Sequence, residues 1–351
     1  MLIYYIFLSI CLFFASVRQT RKNSGLFTIL LTLFFFVIFA FRDLTVGVDT
    51  ISYYNNFLDS KSEDFDLFVF EPGRYVLNNI FISLGLDFRC LLFCVGLFIV
   101  IQTSLYIYKY SYNSSLSYFF FITIGMFSFY LSGLRQTIAI TFILLVYDLC
   151  FKNKFFKASV VILIASTFHF TSLVCFVVLI SFLIKKITIK MLPVFLIIPL
   201  VILMLTPILQ NLILNKMTIV KYISHLEESS SDINVIAYFV IPYSLFIFST
   251  YLLYKVLKYN VGYKNNPFYF SCLLYASFAA LSFSFPMISR FSYYFSLPMI
   301  IFICNNIVRI KKFPIFRKDI LVLSIILCCI GYFVLSTIGG TFGIDKFKFV
   351  L

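Results

Sequence analysis

The sequence predicts an all-α polytopic membrane protein, and three observations carry that prediction. Of 351 residues, 62% are hydrophobic and 12% charged, which leaves too little polar surface for a water-soluble domain of this size. Apolar runs close to the roughly 20 residues that cross a hydrocarbon core of about 30 Å recur along the chain, separated by short polar breaks. The basic residues gather in alternate breaks, as cytoplasmic loops require.

About twelve transmembrane helices are expected from these runs. They lie near 1–17, 25–41, 90–108, 116–131, 137–151, 157–169, 171–184, 191–209, 234–254, 268–285, 291–308 and 319–338, so residues 1–351 read as a single transmembrane domain. The first run has no basic residue before it and ends at Arg18, Arg21 and Lys22, the reverse of a cleavable signal's polarity. It reads as a retained helix with its N-terminus outside.

With that orientation the inner breaks hold 18 of the 28 basic residues and two of the 14 acids, Asp148 and Asp319, a net +16 inside and −2 outside. The formal charge of +14 is therefore topology that also attracts anionic lipid headgroups, and it needs no nucleic-acid partner. Asp148 stands four residues before Lys152, where an interfacial ion pair explains it.

Two external loops are expected. The first, residues 42–89, carries eight acids, and within it Val76–Leu84 reads as a short apolar helix at the membrane interface. The second, residues 210–233, reads as an amphipathic helix followed by a polar run, Glu227–Asp232, that would act as a mobile cover.

The 48 Phe and 24 Tyr sit mostly inside the apolar runs, where lipid contact and helix packing account for them. Tyr53, Tyr54, Tyr75, Tyr293 and Tyr294 instead stand beside external charges, where a ring suits either an interfacial belt or stacking on a sugar. The nine cysteines lie in or at the ends of apolar runs and read as small hydrophobes. Cys90 and Cys94 share a helical face, but with His169 and His225 the only histidines there is no zinc-like ligand set, and no metal is expected. Nor is there a P-loop, a nucleophile elbow, a zinc-protease helix or a dinucleotide fingerprint, so no cofactor is expected.

Chemistry concentrates in charges at the outer ends of the runs. Arg42 follows the second run, Arg135 the fourth, and Arg290 opens the eleventh, so all three are placed to reach one external cavity. Arginine presents a planar fork of donors suited to phosphate and carboxylate oxygens, whereas topology alone is better served by no outside cation. Pairing with nearby acids, Arg42 with Asp43 and Arg74 with Glu71, is the alternative for those two. Arg135 and Arg290 have no acid close in sequence and need an anionic ligand or a distant carboxylate unless they snorkel to lipid headgroups. His169, in an apolar stretch, and Asp49, after a glycine-containing entry, are candidates for proton transfer.

Taken in order, FRDLTVGVDTISYY, FEPGRYVLNNIF, SGLRQTIAITFILL, STFHFTSLV and ISRFSYYF resemble the motif series of EpsG-type proteins, which belong with the Wzy-type polysaccharide polymerases. The resemblance runs from about Ala40 to Phe295. It matches Arg42, Gly47, Asp49 and Tyr53, then Glu71, then Arg135 with Gln136, then His169 with Thr171 and Ser172, then Arg290 with Tyr293.

The resemblance implies a GT-C-like architecture and a bacterial cytoplasmic-membrane enzyme whose active site faces the periplasm or cell exterior. Its reaction would transfer a growing glycan from undecaprenyl pyrophosphate onto an incoming lipid-linked repeat unit, making O-antigen, capsule or exopolysaccharide. Arg42, Arg135 and Arg290 would hold the pyrophosphate, and Arg74, Tyr53, Gln136 and Tyr293 the sugars. Asp49, Glu71 or His169 would take the hydroxyl proton, with Asp49 and His169 favoured and the choice open. The partners implied are the lipid-linked oligosaccharide, membrane lipids, a chain-length regulator and a flippase. Two other readings remain: a flippase or transporter of the same lipid-linked saccharide, and a lipid-linked glycan ligase. Transport would place charges near the bilayer midplane, and the centres of the runs carry almost none.

Overall fold

A computed structural model describes residues 2–17, 21–60, 71–184, 187–216, 240–259, 266–283, 285, 288–311, 320–344 and 347–349. The second external loop and its Glu227–Asp232 run fall mostly outside these residues. The chain forms two compact units, residues 1–179 with 326–351, and residues 180–325.

Unit 1 opens with α1 (Leu2–Ser16) and α2 (Arg21–Ala40). The segment after α2 holds two helices, α3 (Thr50–Asp59) and α4 (Pro72–Ser83). The second of these is the apolar helix expected near Val76–Leu84, whereas α3 was not anticipated. Then come α5 (Phe88–Tyr110), α6 (Ser114–Thr123), α7 (Met126–Ser132), α8 (Leu134–Phe151) and α9 (Phe155–Phe168). A 3-10 turn, Phe170–Cys175, leads into α10 (Phe176–Leu183). Capping follows from sequence: the Asp87 carboxylate accepts from the Cys90 N–H at 2.9 Å to start α5, and Asn113 accepts from the Leu116 N–H at 2.9 Å to start α6.

Unit 2 contains α11 (Leu192–Lys216), α12 (Ile241–Lys258), α13 (Asn266–Leu281) and α14 (Ser289–Lys311). The last helix, α15 (Ile320–Ile338), runs from unit 2 into unit 1. Among the described residues no strand forms, and one isolated bridge joins Arg42 to Phe349.

Six of the described helices are long and apolar enough to cross a membrane, over residues 23–40, 88–110, 134–151, 189–208, 289–310 and 320–338. They make this a membrane protein. The bent pair α6–α7 is a seventh span if counted as one. Each of the twelve expected runs contains a described helix, but not all of these reach that length. The run 116–131 breaks at Ile124–Gly125 into two helices bent by 65°. The runs at 1–17, 157–169, 171–184 and 268–285 yield shorter apolar helices, Leu2–Ser16, Phe155–Phe168, Phe170–Leu183 and Pro267–Leu281.

The aromatic residues build the interior. In unit 1 Phe127 packs against Phe7 at 5.5 Å and Phe35 at 5.4 Å, and Phe121 meets Tyr130 edge-on at 5.0 Å. Such offset and edge contacts are worth about 0.5–1.5 kcal/mol each beyond burial. In unit 2 Tyr269 lies among Phe195, Phe246 and Phe302. The buried Tyr118 hydroxyl finds partners, as an apolar surround favours: it is hydrogen-bonded to Ser104 at 2.5 Å and to Thr32 at 3.2 Å. At the other end of α8 the expected Asp148–Lys152 pair is present at 2.6 Å, joined by Lys109 and by the Tyr110 hydroxyl at 2.7 Å.

Candidate functional site

The site grows out of the segment between α2 and α5. After α2 the chain turns through Arg42–Asp49, and Gly47 holds φ 93 with any Cβ overlapping the Leu131 carbonyl oxygen, so only glycine fits. This turn launches α3, which carries Tyr53 one turn in, 9% exposed, with the Arg135 guanidinium 5.5 Å from its ring centre. Burial raises the Tyr53 phenol above its usual value and the Asp49 charge adds to this.

Glu71 precedes α4 in the left-handed region, φ 62 and ψ 63, a conformation that costs a non-glycine residue about 1–3 kcal/mol. Pro72 opens the helix behind it. The Glu71 side chain is withdrawn from solvent, 2% exposed, and both of its oxygens are engaged. Oε2 accepts from Arg135 Nη1 at 2.6 Å, and Oε1 accepts from His169 Nδ1 at 2.7 Å and from the Phe170 N–H at 3.4 Å. Burial pushes the Glu71 carboxyl up, but the His169 hydrogen bond and the Arg135 charge outweigh it and hold the group below its ordinary value.

A carboxylate only accepts, so the proton shared with His169 sits on Nδ1 and leaves Nε2 as the basic ring atom. Nε2 is buried, with no hydrogen-bond partner among the described residues. His169 itself is extended, φ −154 and ψ 110, at the end of α9.

Close packing of α4 on α9 makes this meeting possible. A Cβ on Gly73 would overlap Thr167 Oγ1 and stand 3.0 Å from the Thr167 carbonyl carbon and oxygen. Gly73→Ala should therefore push Glu71 off His169, and a displacement of about 1 Å costs on the order of 10²-fold in rate. Activity measured beside a thermal melt checks this: it should fall far more than the melting temperature.

Arg135 also lines a cleft with Tyr53, Arg74 and Asn78 among apolar side chains that include Phe88 and Phe168, its empty volume about 370 Å³ with open solvent included; neither Glu71 nor His169 lines it. Arg74 lines this cleft instead of forming the ion pair expected with Glu71, which Arg135 and His169 occupy. Gln136 is buried on α8, and Asp49 is partly exposed ahead of α3; neither lines the cleft.

Arg42 departs from expectation. It has no exposed surface: Nη1 donates to the Phe39 carbonyl at 2.6 Å and the guanidinium lies 4.3 Å from the Phe39 ring centre. Burial pulls it down to about 9, which leaves it charged at neutral pH. Asp43 pairs with Arg89 at 3.9 Å, not with Arg42, and accepts hydrogen bonds from Thr45. Arg89, which sequence reasoning passed over, also donates to the Arg42 carbonyl at 2.8 Å. Arg290 and Tyr293 belong to unit 2, in the opening turns of α14, and Arg290 is exposed.

The EpsG family model matches residues 25–348. No curated protein and no solved structure matches the chain.

Proposed function

The chain belongs to the EpsG family, a family of polysaccharide-biosynthesis membrane proteins, and from that premise we propose that it is a polysaccharide polymerase. Its reaction transfers a growing glycan from undecaprenyl pyrophosphate onto an incoming lipid-linked repeat unit at the non-cytoplasmic face. The observation that carries the reading is the Glu71–His169 pair at 2.7 Å beside Arg135.

His169 Nε2 takes the proton from a hydroxyl of the incoming unit as its oxygen bonds to the anomeric carbon of the growing chain. The bond from that carbon to the diphosphate oxygen breaks, and the electron pair leaves with the diphosphate. Arg135 and Arg74, both lining the cleft, stabilise the charge on the departing group. Glu71 is not the base, because both its oxygens are occupied; it fixes the tautomer and stabilises the imidazolium. Asp49, outside the cluster, accepts hydrogen bonds from sugar hydroxyls, and Tyr53 and Gln136 serve the sugar side.

One observation favours the flippase reading, the 65° break between α6 and α7, since broken spans mark many transporters. No charged residue lies in Ser114–Ser132, so the break offers no intramembrane ion site, and polymerisation remains the better reading.

Purified protein mixed with lipid-linked repeat unit should give a ladder of chain lengths on a gel. Arg135→Ala should reduce it by about 10²–10³-fold, and cells carrying the variant should still display single-repeat material. Transport without polymerisation, or a normal ladder from Arg135→Ala, would overturn the assignment.

A further inference from the structure

The ends of α5 and α8 away from the Glu71 cluster hold a second group of charges. Asp148 accepts from Lys152 Nζ at 2.6 Å, from Lys109 Nζ, and from the Tyr110 hydroxyl at 2.7 Å. Both lysines are exposed. An ammonium has three donors, and one from each lysine goes to Asp148, so others remain for a ligand. Two cations against one acid leave the group net positive, and the sequence adds only further cations, Arg21 and Lys22, at the start of α2.

Two grooves run along α5 from this end. One, about 810 Å³ with open solvent included, lies between α5 and α8 and is lined by Gln102, Lys109, Leu144 and Asp148. The other, about 780 Å³ on the same measure, lies between α2 and α5 and is lined by Gly25, Ile29, Leu33 and Ile101. Leu105 and Tyr108 line both grooves and are exposed, so they form a ridge with a groove on either side. Lys109 stands seven residues beyond Gln102, and Tyr108 seven beyond Ile101, so each groove follows the helix for about 10 Å. All three helices are long and apolar enough to cross a membrane, so surface left open between them faces acyl chains.

We propose that this end of α5 is a binding site for one anionic phospholipid, which straddles the helix with its phosphate on Lys109 and Lys152 and one acyl chain in each groove. Diffuse attraction between basic loops and a charged bilayer fixes no such place, whereas a paired set of grooves below a cationic group does. Two grooves that share a ridge match a lipid with two tails. A zwitterionic headgroup would bring an ammonium to a group that is already net positive, so the charge balance selects an anionic one. The inference goes beyond the polymerase reading and does not need it.

The chain contains no tryptophan, so Leu105→Trp puts a lone emitter on the ridge, where a brominated acyl chain in either groove quenches it. Full-length protein carrying it, in vesicles of phosphatidylcholine, should be quenched several-fold more by brominated phosphatidylglycerol than by the same low fraction of brominated phosphatidylcholine. Lys109→Gln combined with Lys152→Gln should remove that difference. Glycerol phosphate in the buffer carries the headgroup chemistry without tails and should not restore the emission. If Leu105→Trp does not fold, native mass spectrometry of the parent serves: it should retain a phosphatidylglycerol that the double lysine variant loses. Equal quenching by the two lipids, preference for phosphatidylethanolamine, preference that survives loss of both lysines, relief by glycerol phosphate, or equal lipid retention in parent and variant overturns the proposal. None of these readouts requires polymer to be made, so failure of polymerisation leaves them standing.

Discussion

Replacing Glu71 by Gln is expected to cut polymerisation by about 10⁴-fold, the order seen when a buried carboxylate behind a histidine base is made an amide. The argument is a count of donors and acceptors. Arg135 Nη1 and His169 Nδ1 both donate to this side chain, 2.6 and 2.7 Å away, and a carboxylate has an oxygen for each. An amide has one oxygen. If it faces Arg135, the NH₂ group faces Nδ1, forces the proton onto Nε2 and removes the base. If it faces His169, Arg135 confronts another donor. Either arrangement also leaves the Arg135 charge without its anion, at a cost of about 1–3 kcal/mol.

The same substitution should change the acid limb of stability. The folded Glu71 carboxyl is held below its ordinary value, so its contribution is present above the unfolded pKa and is lost as pH falls through the folded one. Melting temperature recorded across that acid window should decline less steeply in Glu71→Gln than in the parent. Parallel curves would show that Glu71 is not held ionised by its partners.

His169→Ala is expected to cost about 10²–10⁴-fold, the usual worth of a positioned general base, with little change in stability. Asp49→Asn should cost less than about tenfold, an effect nearer to one surface hydrogen bond, because Asp49 lies outside the Glu71 cluster. Single-turnover rates with lipid-linked repeat unit compare the two directly. A larger loss in Asp49→Asn than in His169→Ala would move the base to Asp49.

The comparison between these two residues also shows how far sequence reasoning reached. Asp49, Glu71 and His169 were all readable as candidates, because each is a proton-transfer group that the sequence allows on the outer face, Glu71 through the family motif. Choosing among them needed distances. Arg89 was missed because nothing in its neighbourhood, beyond being an external arginine, marked it. The packing of α4 on α9 did carry a local signal in Gly73, yet a glycine after Pro72 reads equally well as a simple helix start. The expected run 116–131 is interrupted by geometry at Ile124–Gly125, which its apolar composition did not signal.

By itself the sequence determined that the protein is helical and lives in a membrane, since hydrophobic run length and charge distribution are set by the bilayer as solvent. It also determined which residue types were present to do chemistry. Only the tertiary structure decided who meets whom. Glu71 and Arg74 are three apart, which brings side chains together only when both lie on one helix. Glu71 instead sits in the left-handed region before α4 begins, so its carboxylate leaves the helix surface and finds Arg135 and His169, 64 and 98 residues further along the chain. Arg42 shows the converse: its sequence neighbours suggested an exposed ligand or an ion pair with Asp43, and folding enclosed it beside a C-terminal strap from the far end of the chain.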